Sequence, residues 1–391
     1  VSSRPIGTTR GDTGISVVGI GRTAYTLRSG RTPQAMAAEA GRAALLDAGI
    51  PSGEVDGVAT YGINDTALAA CVARAIGVDE LQWSADLYGG GNAVTTVIAQ
   101  AGAAIRTGQC TTAVIYRSLN GRSAQRFGDA AQVLGGVIPD AEFTMSQGYV
   151  LPPQFMAMWA RRHQHLHGST CEDLGRIAIT QRAHAAANPR AIAREPLTMD
   201  GYLAGRWINE PLRVYDCAFE VDGAVALVLT SNERARDLDR PGVRIVAAAE
   251  SHGHGGSWDQ WPDLTTMFSS RMAARLLGRA GVEVADVDVA CIYDCFTYTV
   301  MAVMEDFGFF GKGEAGGFFA EGRATYGGDV VVNPHGGLIS EGYLHGLNGH
   351  FEAVSQLRGE AGDRQVADAE VALVTGGAGP FGGGVVYGAE G

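Results

Sequence analysis

The sequence predicts an α/β protein built from two copies of one βα unit, with a long insertion in the first copy. Three observations carry this. The stretches "LLDAGIPSGEVDGVATY" (45–61) and "LLGRAGVEVADVDVACIY" (276–293) share a Leu-Leu pair, Ala-Gly-Ile/Val, Val-Asp and a final Tyr. Apart from one residue of slippage at the Leu-Leu pair their offset is constant at 232, the mark of an internal repeat. Each copy follows an apolar, strand-like run, "ISVVGIG" and "VRIVAAAES". The composition, 46% hydrophobic and 18% charged with 56 glycines in 391 residues, is that of a compact chain with a large core.

The elements follow in order. In "ISVVGIGRTAY" the glycines Gly19 and Gly21, with Glu39 further on, imitate a dinucleotide fingerprint. That motif requires its glycines to open a helix at once. Here Thr32-Pro33 opens the helix and Gly49, before Pro51, closes it, so no nicotinamide cofactor is expected. "TALAACVARAIG" reads as a helix with Cys71 in its core face. "NAVTTVIAQAGAAIRTGQC" (92–110) is apolar around most of its girth, which predicts a central, buried helix. "TTAVIYR" (111–117) and "GAVALVLTS" (223–231) read as buried strands. Between them, at about 118–215, lies a segment too long for a tight connection, containing the helices "PQFMAMWARRHQHLHG" and "CEDLGRIAITQRAHAAA". It reads as an inserted lid or binding subdomain. The first half therefore spans 1–235 and the second 236–391, with the seam in the polar run "SNERARDLDRPG" (231–242). The tail "VALVTGGAGPFGGGVVYG" (371–388) is strand, Gly-rich turn, strand.

Composition also excludes. A formal charge of −12 argues against nucleic acid as partner. No apolar run reaches membrane-span length and the first residues carry no signal-like apolar core, so a cytoplasmic protein is expected. The six cysteines form no C-x-x-C pair, and His163, His165 and His167 alternate at a spacing that does not share one helical face. No metal is expected in this chain.

The half-repeat, "DCF" at 294–296, "NPHGGLISEGYLHGLNGH" at 333–350 and the final Gly-rich hairpin together resemble the thiolase superfamily. The nearest likeness is to the sterol-carrier-type thiolases and their lipid-transfer relatives, and it covers nearly the whole chain. It implies a thiolase fold, two βα halves forming a five-layered αβαβα core with an inserted loop subdomain. It also implies a nucleophilic cysteine at the start of the central helix and two catalytic histidines. Aligned on Gly91, "DLYGGGNAVTT" (86–96) puts Tyr88 at the cysteine's place, and no cysteine lies between 72 and 109. Tyr293 replaces the first histidine and Tyr343 the second. The second-half cysteine is missing from "VTGGAGPFGGG" as well. Claisen chemistry through an acyl-enzyme needs a thiolate, and a phenol of pKa ~10 is only about a thousandth ionised at pH 7. Retro-aldol cleavage of a β-hydroxyacyl thioester makes another demand. One group takes the hydroxyl proton, a second protonates the α-carbon, and donors stabilise the enolate oxygen, work that two phenols suit.

This substitution pattern resembles the steroid side-chain aldolases of actinobacterial sterol degradation. The resemblance implies cleavage of a 17-hydroxy steroid bearing a three-carbon acyl-CoA side chain into a 17-ketosteroid and propionyl-CoA. It implies no cofactor beyond the CoA of the substrate, a homodimer through the N-terminal half, and a small acyl-CoA-associated partner with an OB fold and a zinc ribbon. On this reading Tyr343 serves the hydroxyl and Tyr293 the α-carbon, while Asn333 and His335 hold a water or the thioester oxygen. Gly376 and Gly377 let backbone N–H groups approach the enolate oxygen. Tyr88 and His345 are expected beside the substrate, and Arg161 and Arg162, with the three nearby histidines, form a basic patch for CoA phosphates. Asp294 is expected to cap the helix starting at about Thr297, and Cys295 to pack. Two other readings remain: a silent carrier of acyl-CoA or sterol, and a thiolase with Cys295 as relocated nucleophile.

Overall fold

The structure, a computed structural model, describes residues 11–124, 126, 142–253, 258 and 261–389. The first half runs β1 (Ile15–Arg22), α1 (Pro33–Ala48), β2 (Gly57–Gly62), α2 (Ala69–Ile76), β3 (Trp83–Tyr88), α3 (Val94–Arg106) and β4 (Thr112–Asn120). The insertion carries α4 (Pro152–His167), α5 (Cys171–Ala186) and a small hairpin, β5 (Trp207–Asn209) with β6 (Leu212–Arg213). After it β7 (Asp222–Ser231) closes the half. The second half repeats the order with β8 (Val243–His252), α6 (Ala273–Ala280), β9 (Val289–Cys291), α7 (Thr297–Phe307) and β10 (Val331–Val332). It ends with α8 (Leu347–Leu357), β11 (Val371–Ala378) and β12 (Phe381–Ala389).

The repeat seen in the sequence is a repeat of chain path. α1 ends on Gly49 and α6 on Gly281, both left-handed at φ 67° and φ 70°, where a residue with a Cβ is strained. Each is followed by one 3₁₀ turn, Ser52–Glu54 or Val284–Asp286, and then by a buried strand, β2 or β9. The strands lie in the order β10-β9-β11-β12-β8-β1-β7-β4-β2-β3. In the first half β2 is parallel to β3 and β4, and β7 runs antiparallel to β4. In the second, β9 is parallel to β10 and β11, and β12 runs antiparallel to β11. The halves join where β8 meets β1, through Ser16–Arg244 and Val17–Val243.

Three apolar clusters define the layers. One lies between α1, α2 and the outer face of the first half-sheet. A second is formed by α3 and α8 with strands of both halves, so these helices are the middle layer. The third packs α4, α5, α6 and α7 on the second half-sheet. The result is five layers, αβαβα. The glycines that imitate a cofactor fingerprint are explained by this packing. A side chain at Gly19 or Gly21 would run into the Ala44 or Ala40 carbonyl, so both let α1 lie close on β1. Cys71 corrects an expectation: α2 buries Ala69, Val72, Ala73 and Ile76, and that register leaves Cys71 exposed. Among the described residues no helix is long and apolar enough to cross a membrane.

Candidate active site

Tyr293 stands two residues beyond β9, at the carboxyl end of a parallel strand, where open α/β sheets present their ligands. Its backbone N–H donates to Thr375 Oγ1 of β11 at 3.0 Å, and the Asn333 amide donates to the carbonyl of Ile292 at 3.0 Å. The strand end is thus fastened on both flanks. Tyr343 follows the short helix Gly337–Ser340, and its N–H donates to the Phe219 carbonyl at 2.8 Å. The two hydroxyl oxygens lie 2.7 Å apart, within hydrogen-bond distance. Tyr293 is buried and Tyr343 half-buried, so Tyr343 is the more accessible of the two.

Glycines shape the space around the pair. A Cβ at Gly91, just before α3, would stand 2.2 Å from Tyr293 Cζ and 2.3 Å from its hydroxyl. One at Gly346 would stand 3.0 Å from Tyr293 Cδ2. The ring therefore lies between two backbones that come close only because neither carries a side chain. Gly376 abuts the Gly91 carbonyl and Val94, so it lets β11 approach the start of α3. Gly377, at φ 103°, belongs to the bend of the β11–β12 hairpin.

Burial raises the pKa of both phenols. Tyr293 is pushed well up by burial and then by its neighbour Tyr343. Tyr343 is also raised by burial and by Cys295, but the Tyr293 hydroxyl and the Arg117 charge pull it back. Cys295 lies beside the pair with Sγ 3.6 Å from Thr299 Oγ1, and burial pushes its thiol up to about 12. A thiol held protonated is a poor nucleophile.

Several expected residues stand elsewhere. Tyr88 is 77% exposed at the end of β3, because Trp83, Ala85 and Leu87 take the inward face and leave it on the other. The residue that meets the pair from the first half is Gly91. Arg161 and Arg162 are exposed on α4 and line a groove with Tyr149, Met158 and Glu210; Arg161 is ion-paired to Glu210. His163 leaves the basic patch altogether: it is fully buried between Ser169 (2.8 Å) and Glu305 (2.9 Å). Asp294 does not cap α7. Its carboxylate accepts from the N–H groups of Leu338 (2.8 Å) and Ile339 (3.2 Å), and burial raises it to about 7. Asn333 and His335 are buried behind the pair, beside Tyr293, Leu338 and Gly346, with His335 Nε2 4.0 Å from Glu341. His345 is buried directly beside Tyr343, ring centroids 4.8 Å apart and planes at 89°.

One functional neighbour is hidden in the sequence. Arg117, within β4, is fully buried, pairs with Asp65 at 2.5 Å and donates to His345 Nδ1. The visible signal is a lone arginine in an otherwise apolar strand, "TAVIYR".

A five-layered fold with two phenols in contact at the strand ends, at the places aligned with the imidazoles of thiolases, defines a thiolase-type scaffold. Residues 249–387 match the family profile described as "Thiolase C-terminal domain-like". The chain is 40% identical over 388 residues to a Mycobacterium tuberculosis protein named "17-hydroxy-3-oxo-4-pregnene-20-carboxyl-CoA lyase", covering 95% of this chain and 98% of that one. It is 37% identical over 389 residues to a "Steroid side-chain-cleaving aldolase" of Thermomonospora curvata, covering 96% and 98%. A solved structure titled "Ltp2-ChsH2(DUF35) aldolase" superposes with TM-score 0.90 at 37% identity, covering 97% of this chain and 98% of that one. The chain belongs to the thiolase-fold family of steroid side-chain-cleaving aldolases, and is a carbon–carbon lyase.

Proposed function

We propose that the chain cleaves a 17-hydroxy steroid carrying a three-carbon acyl-CoA side chain into a 17-ketosteroid and propionyl-CoA. The supporting observation is the 2.7 Å contact between the two phenol oxygens. Such a pair passes a proton without either ring becoming an anion. The substrate hydroxyl gives its proton to Tyr343 Oη, Tyr343 gives its own to Tyr293 Oη, and Tyr293 gives its own to the α-carbon. The electron pair of the broken carbon–carbon bond stays with the α-carbon and takes the Tyr293 proton as the bond breaks, and the hydroxyl oxygen becomes the ketone. Atoms and charge balance with the enzyme unchanged. This route draws on no acyl-enzyme, metal or further cofactor.

Arg162, exposed and without the ion pair that engages Arg161, is the better candidate of the two for a CoA phosphate. A homodimer is proposed through β3, the outermost strand of the first half, whose far edge has no partner among the described strands. A small acyl-CoA-associated partner is proposed because the similar solved aldolase bears the two-component name Ltp2-ChsH2(DUF35).

The test is direct. Incubation with the steroid thioester yields ketosteroid and propionyl-CoA. Tyr293→Phe and Tyr343→Phe each lower turnover by about two orders of magnitude while the fold is kept, the usual effect of losing a general acid or base. Binding without product would leave only the carrier reading.

A further inference from the structure

His345 is held in a way that packing does not require. Its φ is 52°, a left-handed conformation that costs a non-glycine residue energy and persists only where the surroundings impose it. Two residues of the first half impose it. The Tyr61 hydroxyl donates to the His345 carbonyl at 2.9 Å. Arg117 donates to His345 Nδ1 from Nε at 3.0 Å and from Nη2 at 2.7 Å. Nη2 also pairs with Asp65 Oδ2 at 2.5 Å, and Nη1 donates to the Ser118 carbonyl at 3.1 Å.

A guanidinium that donates twice to one ring nitrogen settles the state of the imidazole. Nδ1 is the acceptor, so the proton is on Nε2, and a second proton would face the Arg117 charge at contact distance. Burial, and then Arg117, hold the His345 pKa well below its usual value. The ring is a neutral, fixed wall set perpendicular to the Tyr343 ring. Burying an arginine to secure a histidine is expensive, and an apolar filling of the same space is often as stable. The strands of the first half, which carry none of the reacting groups, thus serve to orient one residue of the second.

We propose that His345, pinned by Arg117 and Tyr61, is a positioning residue that holds the Tyr343 ring so that its hydroxyl stays on Tyr293. The proposal rests on the aldolase reading for its kinetic consequence, and on geometry alone for its structural one. Other groups that act on the Tyr343 hydroxyl include Tyr293, Cys295, Arg117 and Asp65.

His345→Asn is the informative variant. Asparagine tolerates the left-handed conformation and offers Arg117 an acceptor, but has no ring to set against Tyr343. The full chain carrying it is expected to fold with little change in melting temperature and to keep KM within about twofold. Its kcat should fall by about tenfold or more, since misplacing a reacting group by an ångström costs up to about a hundredfold. In a Tyr343→Phe background the same change should cost nothing further, because the hydroxyl it positions is gone. A purely structural role predicts the same loss in both backgrounds, and that result overturns the proposal, as does a loss confined to KM. A crystal structure of His345→Asn gives a readout independent of turnover. The proposal expects the two phenol oxygens, 2.7 Å apart in the wild type, to separate beyond hydrogen-bond distance. An unchanged spacing refutes it even if the wild type cleaves no steroid thioester. An inactive wild type together with separated oxygens in the variant refutes the reaction and upholds the positioning.

Discussion

Gly91→Ala is the smallest change that tests whether the site depends on the placement of Tyr293. The added methyl would lie 2.2 Å from Cζ and 2.3 Å from the hydroxyl, where real Cβ atoms essentially never come within 3.0 Å. The ring must therefore retreat by about an ångström or α3 must withdraw. Room for retreat is small, because Gly346 stands so near the ring that a Cβ on it would come within 3.0 Å of Cδ2 and 3.2 Å of Cε2. Withdrawal is resisted by Val94 and Gly376, which lock the start of α3 against β11. Overpacking a tight site typically costs about 1–3 kcal/mol, so the variant should fold with a modestly lowered melting temperature. Displacing the hydroxyl should cost about a hundredfold in kcat, as much as deleting it in Tyr293→Phe. Steady-state cleavage of the steroid thioester, followed as ketone released, reads both variants. The double variant Gly91→Ala/Tyr293→Phe should be no slower than Tyr293→Phe alone. Full activity in Gly91→Ala would show that the hydroxyl does no chemistry at the place where the fold holds it.

Gly278→Ala, in α6 with nothing within 4 Å of the new methyl, is the matching control. It should leave turnover unchanged and raise stability by about 0.5–1 kcal/mol in chemical denaturation. Cys295→Ala should retain most of its turnover, since a thiol held at about 12 is not the nucleophile; complete loss would revive the acyl-enzyme route. Asp294 carries a sign that can be checked. Its folded pKa, raised by burial to about 7, lies above the unfolded value near 3.8, so as pH climbs between them the unfolded state sheds its proton first and stability falls. The wild type should therefore lose stability relative to Asp294→Asn from about pH 4 to about pH 7, and a constant difference across that window would contradict the assignment. Tyr88→Arg, on the free strand β3, should halve the mass in sedimentation if the dimer forms there, and a wild type that sediments as a monomer would remove the dimer.

Most of the architecture is legible in the sequence because it rests on local signals that occur twice. Helix caps at Gly49 and Gly281, buried strands after them and a small-residue central helix are each written in a few residues. The tyrosines are legible through the resemblance: each stands in a motif where the thiolases it resembles carry a histidine. What the sequence hides is what only the third dimension sets. Alignment on a glycine puts Tyr88 at the site, but strand alternation turns it outward and gives Gly91 the position against Tyr293. His163 looks like part of a surface patch, whereas helical periodicity turns it inward to Glu305 while Arg161 and Arg162 point out. Asp294 stands close before a helix and looks like its cap, yet it reaches across to Leu338 and Ile339 instead. Arg117 meets His345, and Asp65 meets Arg117, only after β2, β4 and the second-half loop are brought to one place, a separation of 228 residues for the Arg117–His345 contact.

The chemistry also explains why phenols serve here where a thiol would not. With Cys295 at about 12, populating its thiolate at pH 7 costs about 7 kcal/mol before any bond is made. The same burial that raises Cys295 raises Tyr293 and Tyr343, so ionising either phenol would meet the same obstacle. A relay across a 2.7 Å contact avoids it, because each oxygen gains one proton as it loses another and no buried charge is formed. A dry site that defeats a nucleophile therefore favours a relay. The proposed relay requires the two oxygens to stay in contact, and the glycines at 91 and 346 and the clamped imidazole at 345 are the features of the fold that hold them there.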